Sequence, residues 1–176
     1  MEKGEVYCLL GPNGTGKTTL IRILSTTMLP DAGKALISGL DVADPANKDR
    51  VFASIGVILG ERSWSFYWRL TARQNLEFYA TLYELDDKEK KERADYLLDF
   101  VGLGGRKDDH ISGFSSGMLN RLAIARAFLH SPDVLLLDEF LVNLDPRASS
   151  ETRELIRNLA KKERKTVLIT SNNAYV

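Results

Sequence analysis

The chain is 176 residues long, with 24 basic and 24 acidic side chains and a formal net charge of zero. That length suits one domain with a real core, and the charge balance excludes the global basic footprint of a nucleic-acid binder. The single cysteine, Cys8, excludes an internal disulfide; with no metal-ligand cluster around it, a reduced compartment fits best, with the thiol packed in the core.

No apolar run is long enough to span a bilayer, and "MEKGE" lacks the apolar stretch of a signal peptide. In chain order, Glu5–Leu10 predicts a strand and Lys17–Thr27 a helix ended by Pro30. Lys34–Ser38 reads as a short strand closed by "SGLD", residues 46–53 as a short helix, and "IGVIL" (55–59) as a buried strand. From Thr71 to Gly102 the period changes: Leu76, Tyr79, Leu82 and Tyr83, then Tyr96, Leu97, Phe100 and Val101, recur at helical spacing. The polar, mixed-sign "ELDDKEKKERAD" between them reads as a solvated helix face. Ser115–His130 predicts a further helix, and "DVLLLD" a strand buried on both faces. "DPRASSETRELIRNLAKK" predicts a capped helix with Pro146 near its start, and "KTVLIT" a last strand. Strands alternating with helices argue an α/β fold with a parallel sheet. The expected organisation is a core of residues 1–60 and 131–176, interrupted by a helical subdomain over 61–130 that carries the motif at Ser115.

"GPNGTGKTT" (Gly11–Thr19) has almost no side-chain bulk. A strand that turns sharply into a helix needs glycine, and the free N–H groups of that helix favour an anion. Gly11, Gly14, Gly16, Lys17 and Thr18 fit G-x-x-x-x-G-K-[ST], in which backbone amides cradle phosphates, the lysine reaches the β/γ-phosphates and the hydroxyl meets Mg²⁺. The candidate phosphate-binding residues are thus Gly11, Pro12, Asn13, Gly14, Thr15, Gly16, Lys17, Thr18 and Thr19. "VLLLDE" ends in two carboxylates: Asp138 can hold Mg²⁺ directly or through water, and Glu139 can deprotonate an attacking water. Thr18 and Asp138 are the candidate metal ligands. Nothing resembles an acceptor site, so hydrolysis is favoured over transfer.

Ser115, Ser116 and Gly117 open a helix and make a second anion-binding terminus, which one nucleotide does not need. The economical solution is two chains, each presenting this terminus to the other's γ-phosphate. With the phosphate loop, the serine-glycine signature 21 residues before Asp138, the "DE" pair and "NLDP" (143–146), the chain resembles an ABC (ATP-binding cassette) ATPase over residues 4–173. "RLTARQNLEFYA" and the signature resemble ATPase subunits of exporters whose membrane part is a separate chain. The resemblance implies a P-loop NTPase (RecA-like) core with an inserted helical subdomain, and a head-to-tail dimer around two Mg·ATP. Ser115 and Gly117 would meet the partner's γ-phosphate, Asp145 would lie across the dimer interface, and Glu139 would be the base. The helical region from Glu61 onward would face an integral membrane permease. The chain would sit in the cytoplasm, peripheral to the inner face of the cell membrane.

Several positions depart from the family pattern. Gly60 and Glu61 stand where the family carries a glutamine that touches metal and water, Phe140 replaces a proline, and Asn172 occupies the position of a γ-phosphate-contacting histidine. The family's aromatic-bearing N-terminal hairpin and its closing elements have no counterpart in these residues, so the chain reads as an abridged cassette. These departures keep open an alternative: a nucleotide-binding module with little or no turnover. "WSFYW" (64–68) is either an anchor for a membrane subunit's helix or core of the helical region. His110 and His130 lack ligand partners and read as structural or surface residues.

Overall fold

The computed structural model describes residues 1–60, 66–142 and 144–172. They cluster into two compact units. The first comprises Met1–Arg62, Pro132–Asn143 and Arg153–Val176, and the second Ser63–Ser131 and Leu144–Thr152.

The first unit is built on four strands, β1 (Val6–Leu10), β4 (Ile55–Ile58), β5 (Val134–Asp138) and β6 (Thr166–Ser171), in the order β1-β6-β5-β4 and all parallel. Parallel strands need covered faces, and β6 is buried along its whole length, as are four of the five residues of β5. Helix α1 (Lys17–Leu24) places Ile21 against Leu136 and Leu168 on one face. A second cluster joins Ile37, Val42, Val51 and Ile55. Val51 lies on α2 (Lys48–Ser54), which follows a single 3₁₀ turn at Pro45–Asn47.

Two features differ from the sequence expectation. The segment read as one strand, Lys34–Ser38, is half of an antiparallel hairpin with two-residue arms, β2 (Leu36–Ile37) and β3 (Leu40–Asp41). Ser38 and Gly39 both take positive φ, 49° and 81°, the pattern of the tight I′ turn that matches strand twist. Cys8 is exposed rather than in the core. β1 is the edge strand of the sheet, and its outward residues Val6 and Leu10 are exposed with it.

The second unit is helical. Thr71 caps α3 (Ala72–Thr81) and Asp86 caps α4 (Asp87–Phe100), each in a reciprocal box with Gln74 or Glu89. The polar stretch expected to be a solvated face therefore comprises the loop end and cap at Glu84–Asp86 and the first half of α4. Leu76, Leu97, Leu98 and Leu122 are fully buried, the last on α5 (Ser116–Ala127). "WSFYW" divides: Phe66 is buried, whereas Tyr67 and Trp68 are exposed; Trp64 and Ser65 lie outside the described residues. The Arg126 guanidinium sits 5.1 Å from the ring centres of both Phe66 and Tyr79. His130 stacks on Tyr83 at 4.2 Å. The long α6 (Pro146–Lys162) begins among residues of the second unit and continues in the first.

Candidate functional site

The loop between β1 and α1 has the geometry its glycines imply. Gly14 and Gly16 take φ of 83° and 88°, a left-handed conformation in which a side chain is strained. Gly16 stands at the N-cap of α1, where no side chain caps the helix and no acidic residue occupies the first turn. The amide groups that open α1 are thus left to a ligand. Thr15 turns back to donate to the Pro12 carbonyl at 2.9 Å, which closes the loop on itself.

Lys17 is buried beneath this loop. Its ammonium donates to the carbonyls of Gly11 at 2.8 Å and Pro12 at 2.9 Å, and lies 3.8 Å from a Glu139 carboxylate oxygen. A hollow of about 320 Å³ is lined by Asn13, Gly14, Gly16, Lys17, Thr18, Thr19 and Glu139. The structure thus brings the phosphate-loop residues and Glu139 to one place.

Asp138 ends β5 and is buried. Register places it beside Thr170 of β6, whose hydroxyl donates to one carboxylate oxygen of Asp138. The next amide, of Glu139, donates to both the carbonyl and the hydroxyl oxygen of Thr170, at 3.1 and 3.0 Å. Glu139 itself has φ of +46°, a left-handed conformation rare outside glycine. Strain of this kind persists where the surroundings over-determine it, and here Thr170 does so. Gly60 closes the other side. A Cβ there would stand 2.6 Å from the Asp138 carbonyl oxygen and 3.2 Å from the Glu139 Cβ.

Asn172 follows β6 and donates through its amide nitrogen to the Asn13 side-chain oxygen at 3.2 Å. It therefore reaches the phosphate loop. Glu61 lies outside the described residues. Two aromatic residues near the start of the first unit are already engaged: Tyr7 packs against the Ile21–Leu136–Leu168 cluster. Its hydroxyl bonds Glu5 and the Glu2 amide. Phe52 lies under the Lys48 ammonium.

Ser115, Ser116, Gly117 and Asp145 belong to the second unit. Ser115 caps α5, its hydroxyl accepting from the Met118 amide at 3.3 Å. Asp145 accepts from the amides of Arg147 and Ala148 at 3.1 and 2.9 Å at the start of α6. Ser115, Gly117 and Asp145 line one hollow of about 260 Å³ together with Arg121, Arg147, Ala148 and Glu151. Sequence reasoning missed Thr170, Arg121 and Glu151, and named Gly60 only as a departure from the family pattern, without its close approach to Asp138. Thr170 and Gly60 are brought to Asp138 only by strand register and strand order, for which no local pattern exists. Arg121 and Glu151 carry a weaker signal: each falls four residues after a residue named in the motifs or next to one, on the same helix face.

No group of three or more His, Cys, Asp or Glu able to hold a metal ion occurs among the described residues. No helix among them is long and apolar enough to cross a membrane.

A parallel sheet flanked by helices, with a glycine-rich loop at the end of β1 and a carboxylate pair at the end of β5, is the fold of a P-loop NTPase. The ABC transporter family model matches residues 1–142. The chain is 40% identical over 173 residues to the ABC transporter ATP-binding protein NatA of Bacillus subtilis, covering 98% of this chain and 68% of that protein. It is also 40% identical to the bacitracin transport ATP-binding protein BcrA of Bacillus licheniformis, covering 98% of this chain and 54% of that protein. Among solved structures, cbiO1 of Clostridium perfringens, part of the ABC transporter complex cbiONQ, superposes with a TM-score of 0.88 at 28% identity, covering 97% of this chain and 68% of that one. The dimeric ATP-binding cassette MJ0796 bound to ADP and Pi shares the fold, with a TM-score of 0.82 at 24% identity over 99% of this chain and 78% of that one. The chain belongs to the ABC transporter family, as one of its ATP-binding components. It spans about half the length of several of the curated relatives it matches.

Proposed function

We propose that the chain binds Mg·ATP and hydrolyses it as the energy-coupling subunit of an exporter-type transporter. The transported substrate would pass through a separate membrane permease. The observation that carries this reading is the Lys17 ammonium, held under an uncapped helix N-terminus 3.8 Å from the Glu139 carboxylate. In this reading the amides of Gly14, Gly16, Lys17, Thr18 and Thr19 cradle the phosphates, with Gly11, Pro12, Asn13 and Thr15 shaping the loop. Lys17 then exchanges its loop carbonyls for the β/γ-phosphates, where charge-assisted bonds are roughly twice as strong as neutral ones.

The hard oxygen donors near the loop suit Mg²⁺, which keeps several waters and takes one or two protein oxygens beside those of the phosphates. The Thr18 hydroxyl and the Asp138 carboxylate would hold it, and Thr170 orients Asp138 by its hydrogen bond. When bound, the ion would neutralise charge on the phosphates. Glu139 would take the proton from the attacking water, and Asn172 would donate to the γ-phosphate. Glu61 stands at the position of a metal-contacting glutamine in the family. A second copy, packed head to tail, would offer Ser115, Ser116 and Gly117 to the γ-phosphate, with Asp145 at the interface. The core would then be residues 1–60 and 131–176, with 61–130 facing the permease at the cytoplasmic side of the membrane. The exposed Tyr67 and Trp68 suit that contact. The relatives' names, each that of a transport or resistance ATP-binding protein, support this reading over a module without turnover.

Calorimetry with Mg·ATP and single-turnover hydrolysis test it. Lys17→Ala should weaken binding at least ~10-fold, equivalent to ~1.4 kcal/mol. Glu139→Gln should retain binding and lose roughly 10²–10⁴ in rate. Equal affinity of wild type and Lys17→Ala would refute the phosphate role of Lys17.

A further inference from the structure

The hollow of the second unit is built where the first turns of two helices meet. Gly117 on α5 stands so close to Ala148 on α6 that a Cβ on it would lie 3.0 Å from the Ala148 Cβ. One turn further along each helix are Arg121 and Glu151. Glu151 uses both carboxylate oxygens: one is 3.0 Å from Arg147 Nε and the other 3.8 Å from Arg121 Nη1. The Arg121 guanidinium also lies against the backbone of Gly102, where a Cβ would meet it at 3.4 Å. The caps of the two helices, Ser115 and Asp145, therefore ride on turns joined by one carboxylate.

We propose that Glu151 is a positioning residue. Through Arg121 it holds the turn that carries Ser115 and Gly117 in fixed register with the turn that carries Asp145. Its reaction role rests on the reading above, in which both turns serve the nucleotide of a second copy. A single exposed ion pair adds little order. Here one acceptor group serves two arginines on two elements, and one of those pairs is the i,i+4 neighbour on α6. The carboxylate accepts a hydrogen bond from Arg147 and attracts Arg121 by its charge; a glutamine amide can still accept from Arg147 but has no charge with which to hold Arg121. A loosened tie lets the two turns move separately, and misplacement of a contact group by about 1 Å costs on the order of 10²-fold in rate.

The test uses Glu151→Gln, Arg121→Gln and the double variant of the full chain. Hydrogen exchange is followed at the amides bonded to the two caps, Met118 with Ser115 and Arg147 and Ala148 with Asp145. Each single variant should speed exchange in both turns by about tenfold, an effect of the size found for residues in one network. The turnover number for Mg·ATP should fall by about tenfold, with KM within about twofold because each chain's own phosphate loop is untouched. The double variant should be no worse than either single one. Loosening confined to α6 overturns the proposal, as do additive effects or an unchanged turnover number in the face of faster exchange. A wild-type rate per chain that does not rise with protein concentration counts against the paired-chain reading instead, and the exchange data alone then decide whether the tie exists.

Discussion

Replacing Gly60 by alanine should separate chemistry from binding in this chain. The added Cβ would stand 2.6 Å from the Asp138 carbonyl oxygen, so that backbone has to give by about 0.8 Å to reach the 3.4 Å of ordinary contact. The obstacle is main chain, not the tip of a flexible side chain, and Glu139 Cβ at 3.2 Å blocks the neighbouring direction. Overpacking of this kind costs about 1–3 kcal/mol of stability. It also displaces the carboxylates of Asp138 and Glu139 from the phosphate loop, and a shift near 1 Å costs on the order of 10²-fold in rate. Lys17 and the amides of Gly14 and Gly16 are not touched, so affinity for ATP measured without Mg²⁺ should stay within about threefold of wild type, a difference under ~0.7 kcal/mol. Single-turnover hydrolysis, calorimetry and thermal unfolding of Gly60→Ala measure the three quantities. Wild-type turnover with an unchanged thermal midpoint would refute the close approach. Affinity falling in step with rate would refute the claim that Gly60 acts only on the carboxylate end.

Three further outcomes are expected. Asn172→His should raise the turnover number more than it changes Kd, by up to the 10²–10³ typical of one well-placed donor, because the exposed Asn172–Asn13 bond it gives up is worth only about 1 kcal/mol. The assay is run at high protein concentration or on a tandem chain, and an ordinary wild-type rate left unchanged by the substitution would count against it. Cys8 should react with a thiol reagent to one equivalent in the native chain, since it is exposed. Burial among its neighbours raises its thiol pKa, so less thiolate is present at a given pH, and the rate–pH curve should lie to higher pH than that of a small free thiol; labelling only after unfolding would refute the exposure. Asp86→Ala removes the bonds to the Lys88 and Glu89 amides at 2.9 and 2.8 Å and should cost about 1 kcal/mol in urea unfolding; an unchanged midpoint would mean that α4 is held by packing alone.

The phosphate loop, the carboxylate pair, the signature turn and the alternation of strand and helix were legible in the residues, because each rests on neighbours in the chain. Gly14 and Gly16 permit a left-handed turn wherever they stand, and Asp138 ends its strand because the apolar run before it ends there. Capping is equally local, as at Thr71 and Asp86. Other properties depended on which elements came together. Glu5–Leu10 reads as an apolar strand with Cys8 in the core, yet strand order left β1 at the edge and Cys8 outside. "WSFYW" carries no sign of which ring turns inward; packing against Tyr79 and Arg126 buried Phe66 and left Tyr67 and Trp68 exposed. The positive φ of Glu139 has no signature in a glutamate, since it is imposed by Thr170, thirty-one residues away. The sharing of Glu151 by Arg121 and Arg147 likewise needed α5 and α6 to meet at Gly117 and Ala148. A sequence states the period and turning capacity of each segment. Burial at an edge, backbone strain at a strand end and a carboxylate common to two helices are set by contacts between segments far apart in the chain, and only folding forms them.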